Sequence, residues 1–119
     1  MNVCSCFPIK LTNARVWRTY IGGKMLDALQ GGSDGGDSNF PEEWIMSVVS
    51  ARNPGREIYG DEGLSFLSEE KKVSLKRLIE SNPELYLGAP PVSRHGVHTG
   101  LLVKLIDSAE RLTVQVDPT

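Results

Sequence analysis

Residues 101–118 read LLVKLIDSAERLTVQVDP. Two runs rich in aliphatic and β-branched residues, 101–107 and 112–117, flank the polar segment SAER at 108–111, which is the pattern of a short antiparallel hairpin. In the second run the pleat separates Leu112, Val114 and Val116 from Thr113, Gln115 and Asp117. The first face is expected to enter a core, and the second to present polar groups from which a site could be built. In the first run Lys104 is flanked by Leu, Val and Ile on both sides. An unpaired buried ammonium costs several kcal/mol. Lys104 therefore either snorkels from an edge strand to water or stands as a cation at a pocket wall, facing an anionic or carbonyl substrate.

Working back from that hairpin, residues 84–100 (ELYLGAPPVSRHGVHTG) form a connection punctuated by proline and glycine. Before it, SEEKKVSLKRLIES at 68–81 predicts the principal helix. Ser68 is placed to cap it, Glu69 and Glu70 suit its positive end, and Asn82 and Pro83 stop it. Val73, Leu75, Leu78 and Ile79 give its apolar face. Residues 51–63 (ARNPGREIYGDEG) read as a loop with turn chemistry at Asn53, Pro54 and Gly55, and EEWIMSVVS at 42–50 as a strand. The run QGGSDGGDSN at 30–39 has nothing to bury and reads as a flexible surface loop. Residues 7–29 hold an extended segment, a glycine turn at Gly22 and Gly23, and a short helix near Met25 to Leu29.

The 119 residues predict a single domain, 1–119, without internal repeats. The element order lacks a regular helix–strand alternation, so the fold class expected is mainly β with one principal helix. A formal net charge of −2 and a pI near 5.7 give no electrostatic case for nucleic acid or an anionic membrane. No apolar run approaches the roughly 18 residues of a membrane-spanning helix, and MNVCSCFPIKL lacks the features of a secretory leader. A cytoplasmic protein is the expectation. Cys4 and Cys6 are too close to staple distant segments and read as reduced structural thiols.

Several chemical signals fail on spacing. IGGKM lacks the first spaced glycine and the following Ser or Thr of a phosphate loop. GGSDGGDS is one copy of a pattern that needs stacked repeats to hold calcium. His95 and His98 have no helix to converge them on a metal and read as surface histidines. Trp17 and Trp44 read as core or near-core aromatics, and Glu42 and Glu43 as solvated.

Taken together, RVWRTYIGG at 15–23, EEWIMS at 42–47 and LLVKLIDSAERLTVQVDP at 101–118 resemble the N-terminal part of the type I mannose-6-phosphate isomerases, zinc enzymes built from cupin β-barrels. That family has a Trp and a Gly-Gly-type segment, a Glu-x-Trp-x-x-Ser pattern, and an apolar strand carrying a lysine. A strand of the form Leu-Ser-x-Gln-x-His-Pro follows. The resemblance spans nearly all of the chain and is most specific over 101–118. It implies an incomplete cupin-like (jelly-roll) domain. It also implies Gln115 and Asp117 as zinc ligands, Lys104 as the catalytic-pocket lysine, and Trp17, Glu42 and Thr113 as substrate-binding residues. Asp117 stands where the family has a ligand histidine; a carboxylate can ligate zinc, but its charge weakens the ion's pull on a substrate oxygen. The family's other ligands, a glutamate and a histidine, come after this region. The function implied is zinc-dependent interconversion of mannose 6-phosphate and fructose 6-phosphate, with this chain alone inactive. The alternative is a non-catalytic cupin-like module that binds a sugar or a partner. A third expectation is self-association through an open sheet edge.

Overall fold

The computed structural model describes residues 8–32, 35–90, 92, 96, 98–112 and 114. Its strands are β1 (Arg15–Val16), β2 (Glu42–Ile45) and β3 (Val103–Ile106), and its helices are α1 (Lys24–Leu29), α2 (Leu75–Ser81) and α3 (Pro83–Leu87). The strands form an open antiparallel sheet in the order β1-β2-β3. This is a small mixed α/β arrangement with short helices, not the mainly β fold with one helix that the sequence predicts.

The central strand fixes which side chains meet. Glu42 lies opposite Ile106 and Val16, and Trp44 lies opposite Lys104. With a period of two, Glu42 and Trp44 share one face, and Glu43, opposite Arg15 and Leu105, takes the other. The strand predicted over 42–50 stops at Ile45 because Met46 adopts the left-handed conformation, with φ 53. The chain then pairs elsewhere. The Ser47 N–H donates to Ser65 Oγ at 2.8 Å, and the Ser65 N–H donates back to the Ser47 carbonyl at 3.0 Å.

The glycine turn of the sequence is a crossing of backbones. An added Cβ on Gly22 would come within 1.8 Å of the Asp107 carbonyl oxygen, and the Gly23 N–H donates to that same oxygen at 2.9 Å. Only a bare backbone fits there. The crossing ties the start of α1 to the chain leaving β3, and Asp107 Oδ2 accepts from the Met25 N–H at 2.7 Å.

Leu67, Leu75, Leu78 and Ile79 form a buried apolar cluster, with Ile9, Leu11, Val48, Val73, Tyr86 and Leu87 packed against it. The helix at its centre begins later than predicted. Its N-cap is Ser74, whose Oγ accepts from the Arg77 N–H at 3.1 Å, while the Ser68 N–H donates to the Lys10 carbonyl instead. Residues 65–67 and 73–75 pair with each other first: the Leu67 N–H reaches the Val73 carbonyl at 3.0 Å, and the Leu75 N–H the Ser65 carbonyl at 2.7 Å. That pairing holds 68–72 in turns, and these polar and charged residues have no apolar face to lose. Asn82 and Pro83 do end the helix, and Pro83 opens α3 within what reads as a plain connection.

The first arm of the predicted hairpin contains β3, whose partner is β2. The second arm falls largely outside the described residues. Leu112 and Val114, expected in the core, are exposed, Val114 almost completely. Cys4, Cys6 and His95 lie outside the described residues. Among those described, no helix is long and apolar enough to cross a membrane.

Candidate functional site

The most organised polar group surrounds Glu42, which is 2% exposed. A carboxylate is costly to desolvate unless donors and cations replace its water. Here its Oε2 accepts from the Tyr20 hydroxyl and faces Arg18 Nε at 3.4 Å. Its Oε1 accepts from the Trp44 indole N–H at 2.9 Å and faces Lys104 Nζ at 3.9 Å. Two cations thus converge on one carboxylate, leaving an excess of one positive charge in the group.

Each partner has a local reason for its position. Trp44 is two residues along β2 from Glu42, so the pleat turns both to the same face. Lys104 is directly opposite Trp44 on β3. Its ammonium lies 4.7 Å from the centre of the Trp44 ring and reaches diagonally to Glu42. Arg18 and Tyr20 again differ by two, on a segment held to 38–39 by the Arg18 N–H donating to the Asn39 carbonyl at 2.9 Å. Burial is the main cause that pushes the Tyr20 phenol well above its ordinary pKa of 10.0; the hydrogen bond and negative charge of Glu42 add to it, and Arg18 opposes it. Tyr20 therefore remains a donor throughout the neutral range.

Lys104 is paired within the sheet and partly open to water, and it lines neither of the depressions formed chiefly by residues 50–62. Its side chain is 29% exposed and holds both an ion pair and an aromatic face. Its apolar neighbours Val103, Leu105 and Ile106 are more open to solvent than their sequence implies. The expectation of solvated Glu42 and Glu43 is overturned. Glu43, 5% exposed, accepts from the Ala14 N–H at 2.6 Å and from Gln30 Nε2 at 2.8 Å. It closes β1 onto α1, and among the described residues no cation pairs with it.

Trp17 belongs to a second group. The Arg56 guanidinium lies 4.8 Å from its ring centre and 4.4 Å from that of Tyr59, and pairs with Glu62 at 2.9 Å. Asn53 Nδ2 donates to the Trp17 carbonyl at 2.8 Å. Two open depressions, of about 530 and 400 Å³, are formed chiefly by residues 50–62, and Glu42 and Lys104 line neither.

Of the residues singled out from sequence, Glu42 and Lys104 are brought together and Trp17 joins the Arg56 group. Thr113, Gln115 and Asp117 lie outside the described residues. His98 is exposed, and its Nδ1 accepts from the Gly100 N–H at 2.7 Å within a turn. Arg18, Tyr20 and Arg56 were not anticipated. A detectable signal for the first two was the pair of i, i+2 alternations, Arg18 with Tyr20 and Glu42 with Trp44. Among the described residues no three or more His, Cys, Asp or Glu side chains cluster as metal ligands. No family model, curated protein or solved structure matches the chain.

Proposed function

We propose that this chain is a relative of the type I mannose-6-phosphate isomerases and carries one wall of their sugar-phosphate site. The observation that carries the reading is the Glu42 group. A buried carboxylate holds Lys104 and Arg18, whose side chains are 29% and 21% exposed, beside a protonated phenol and an indole N–H. Fixed cations with an excess positive charge suit a phosphate monoester, and a hydroxyl and a carboxylate suit sugar hydroxyls. In this reading Lys104 and Arg18 attract and orient the anion while Glu42 holds both cations in place. Trp17 and Thr113 contribute to the substrate wall, and the sheet is one open part of a jelly-roll barrel.

Gln115 and Asp117 are the proposed zinc donors. Two donors do not satisfy a tetrahedral ion, which takes four ligands, and among the described residues no three His, Cys, Asp or Glu side chains cluster to complete the set. The chain alone is accordingly proposed to bind sugar phosphate without isomerising it. The test is a titration of the chain with mannose 6-phosphate, inorganic phosphate and mannose, following the Trp44 indole N–H by NMR. The expected order is mannose 6-phosphate tightest, with Kd on the order of 1 mM, then phosphate, then mannose. Equal responses to mannose and mannose 6-phosphate, or no response to any of them, overturn the reading.

A further inference from the structure

Residues 51–62 form a loop closed at its base by the Ala51 N–H, which donates to the Glu62 carbonyl at 2.7 Å. Inside the loop the backbone makes successive turns, Arg56 to Asn53, Tyr59 to Arg56 and Glu62 to Tyr59. Ile58 is 86% exposed and Tyr59 is 50% exposed, so the loop buries little of its own apolar surface. A small set of aromatic and polar contacts holds it down. Arg56 sits against the Trp17 and Tyr59 rings, its guanidinium pairs with Glu62, and Asn53 reaches the Trp17 carbonyl. At the base, Gly63 lies so close to Trp44 that an added Cβ would meet the ring at 2.9 Å.

We propose that residues 51–62 form a latched strap that opens as a unit while the rest of the domain stays folded, with Arg56 as the latch and Trp17 as its seat. A stacked guanidinium with a partly exposed ion pair is a modest interaction, unlike the buried cluster around Leu78. Segments held by few buried contacts open well below the global unfolding free energy. Opening carries Tyr59 and Arg56 away and uncovers the Trp17 ring, while Glu42 keeps its own partners. The strap does not depend on the sugar-phosphate reading.

Amide hydrogen exchange on the whole chain at low urea tests this. The Ala51 N–H reports the strap base, and the Leu78 N–H, bonded to the Ser74 carbonyl, reports the core. After correction for intrinsic rates, Ala51 is expected to exchange at least about tenfold faster than Leu78 and to depend weakly on urea, while Leu78 depends on it steeply. Arg56→Gln is expected to speed Ala51 exchange about tenfold, and Arg56→Lys, which keeps the charge beside Glu62, by less. A shared rate and urea slope for Ala51 and Leu78 in the unmodified chain overturns the proposal without any variant. An unchanged Ala51 rate in Arg56→Gln overturns Arg56 as the latch.

Discussion

Replacing Glu42 by Gln removes the one negative charge at the centre of the polar group and changes little else in shape. The amide oxygen can still accept from the Trp44 indole N–H, and the amide nitrogen can donate to the Tyr20 hydroxyl oxygen, so the loss falls on the two ion pairs. Arg18 and Lys104, 3.4 and 3.9 Å from the carboxylate, lose their counter-charge while remaining partly shielded from water. A hydrogen bond to a charged group contributes about 1.5–3 kcal/mol, and breaking a buried pair by removing one partner costs about 3–5 kcal/mol. The cations retain some hydration, so the lower part of the combined range applies, about 2.5 kcal/mol. With an m-value of about 1.5 kcal/mol per molar urea, the unfolding midpoint falls by about 1.7 M. Glu43→Gln is the matched control. It is as buried but faces only the Ala14 N–H and Gln30, whose amide can turn over to suit, and it is expected to cost about 1 kcal/mol. Urea unfolding followed by tryptophan fluorescence reads both. A Glu42→Gln midpoint within about 0.3 M of the unmodified protein, or a larger loss for Glu43→Gln, refutes the assignment of Glu42 as the charge that organises the group.

Other consequences are open to measurement. Tyr20 has a folded-state pKa raised above its unfolded value of 10.0, so its contribution is fully present below about pH 10 and is lost as pH rises beyond it. Stability measured from pH 9 to 11 should fall more steeply in the unmodified chain than in Tyr20→Phe. Gly63→Ala combines a φ of +96 with contacts of 2.9 Å to Ala51 and Trp44 and should cost about 2–4 kcal/mol in urea unfolding. Ser74→Ala should cost about 1 kcal/mol and Ser68→Ala almost nothing, which thermal unfolding distinguishes.

The parts of this fold that could be read in the sequence are those set by neighbours along the chain. The short helix near Met25, the strand beginning at Glu42 and the stop at Pro83 follow from local propensity and turn chemistry. Ser68 was a reasonable cap by the same logic. It lost to Ser74 because 65–67 pair with 73–75, a tertiary preference that no helix-start pattern encodes. The candidate site was legible only in outline. Lys104 stood out because aliphatic residues flank it, but its counter-charge is 62 positions earlier, in a pair of glutamates that look solvated because they precede a strand. Glu42 is buried because Arg18, Tyr20, Trp44 and Lys104 arrive from three separate segments. Residue types alone announce none of those encounters. The Arg56 latch was hidden for the same reason, since its loop reads as turn chemistry and its aromatic seat is 39 positions away.

The account rests on Lys104 as a cation available to an anionic sugar, and one comparison tests that most directly. Mannose 6-phosphate is titrated by calorimetry into the unmodified chain and into Lys104→Met, which keeps the length and apolar stem of the side chain but not its charge. Losing one charge-assisted contact to a phosphate should weaken Kd about tenfold or more while the sheet stays folded. Equal affinity in the two proteins would contradict the account and leave Lys104 a structural partner of Glu42 and Trp44.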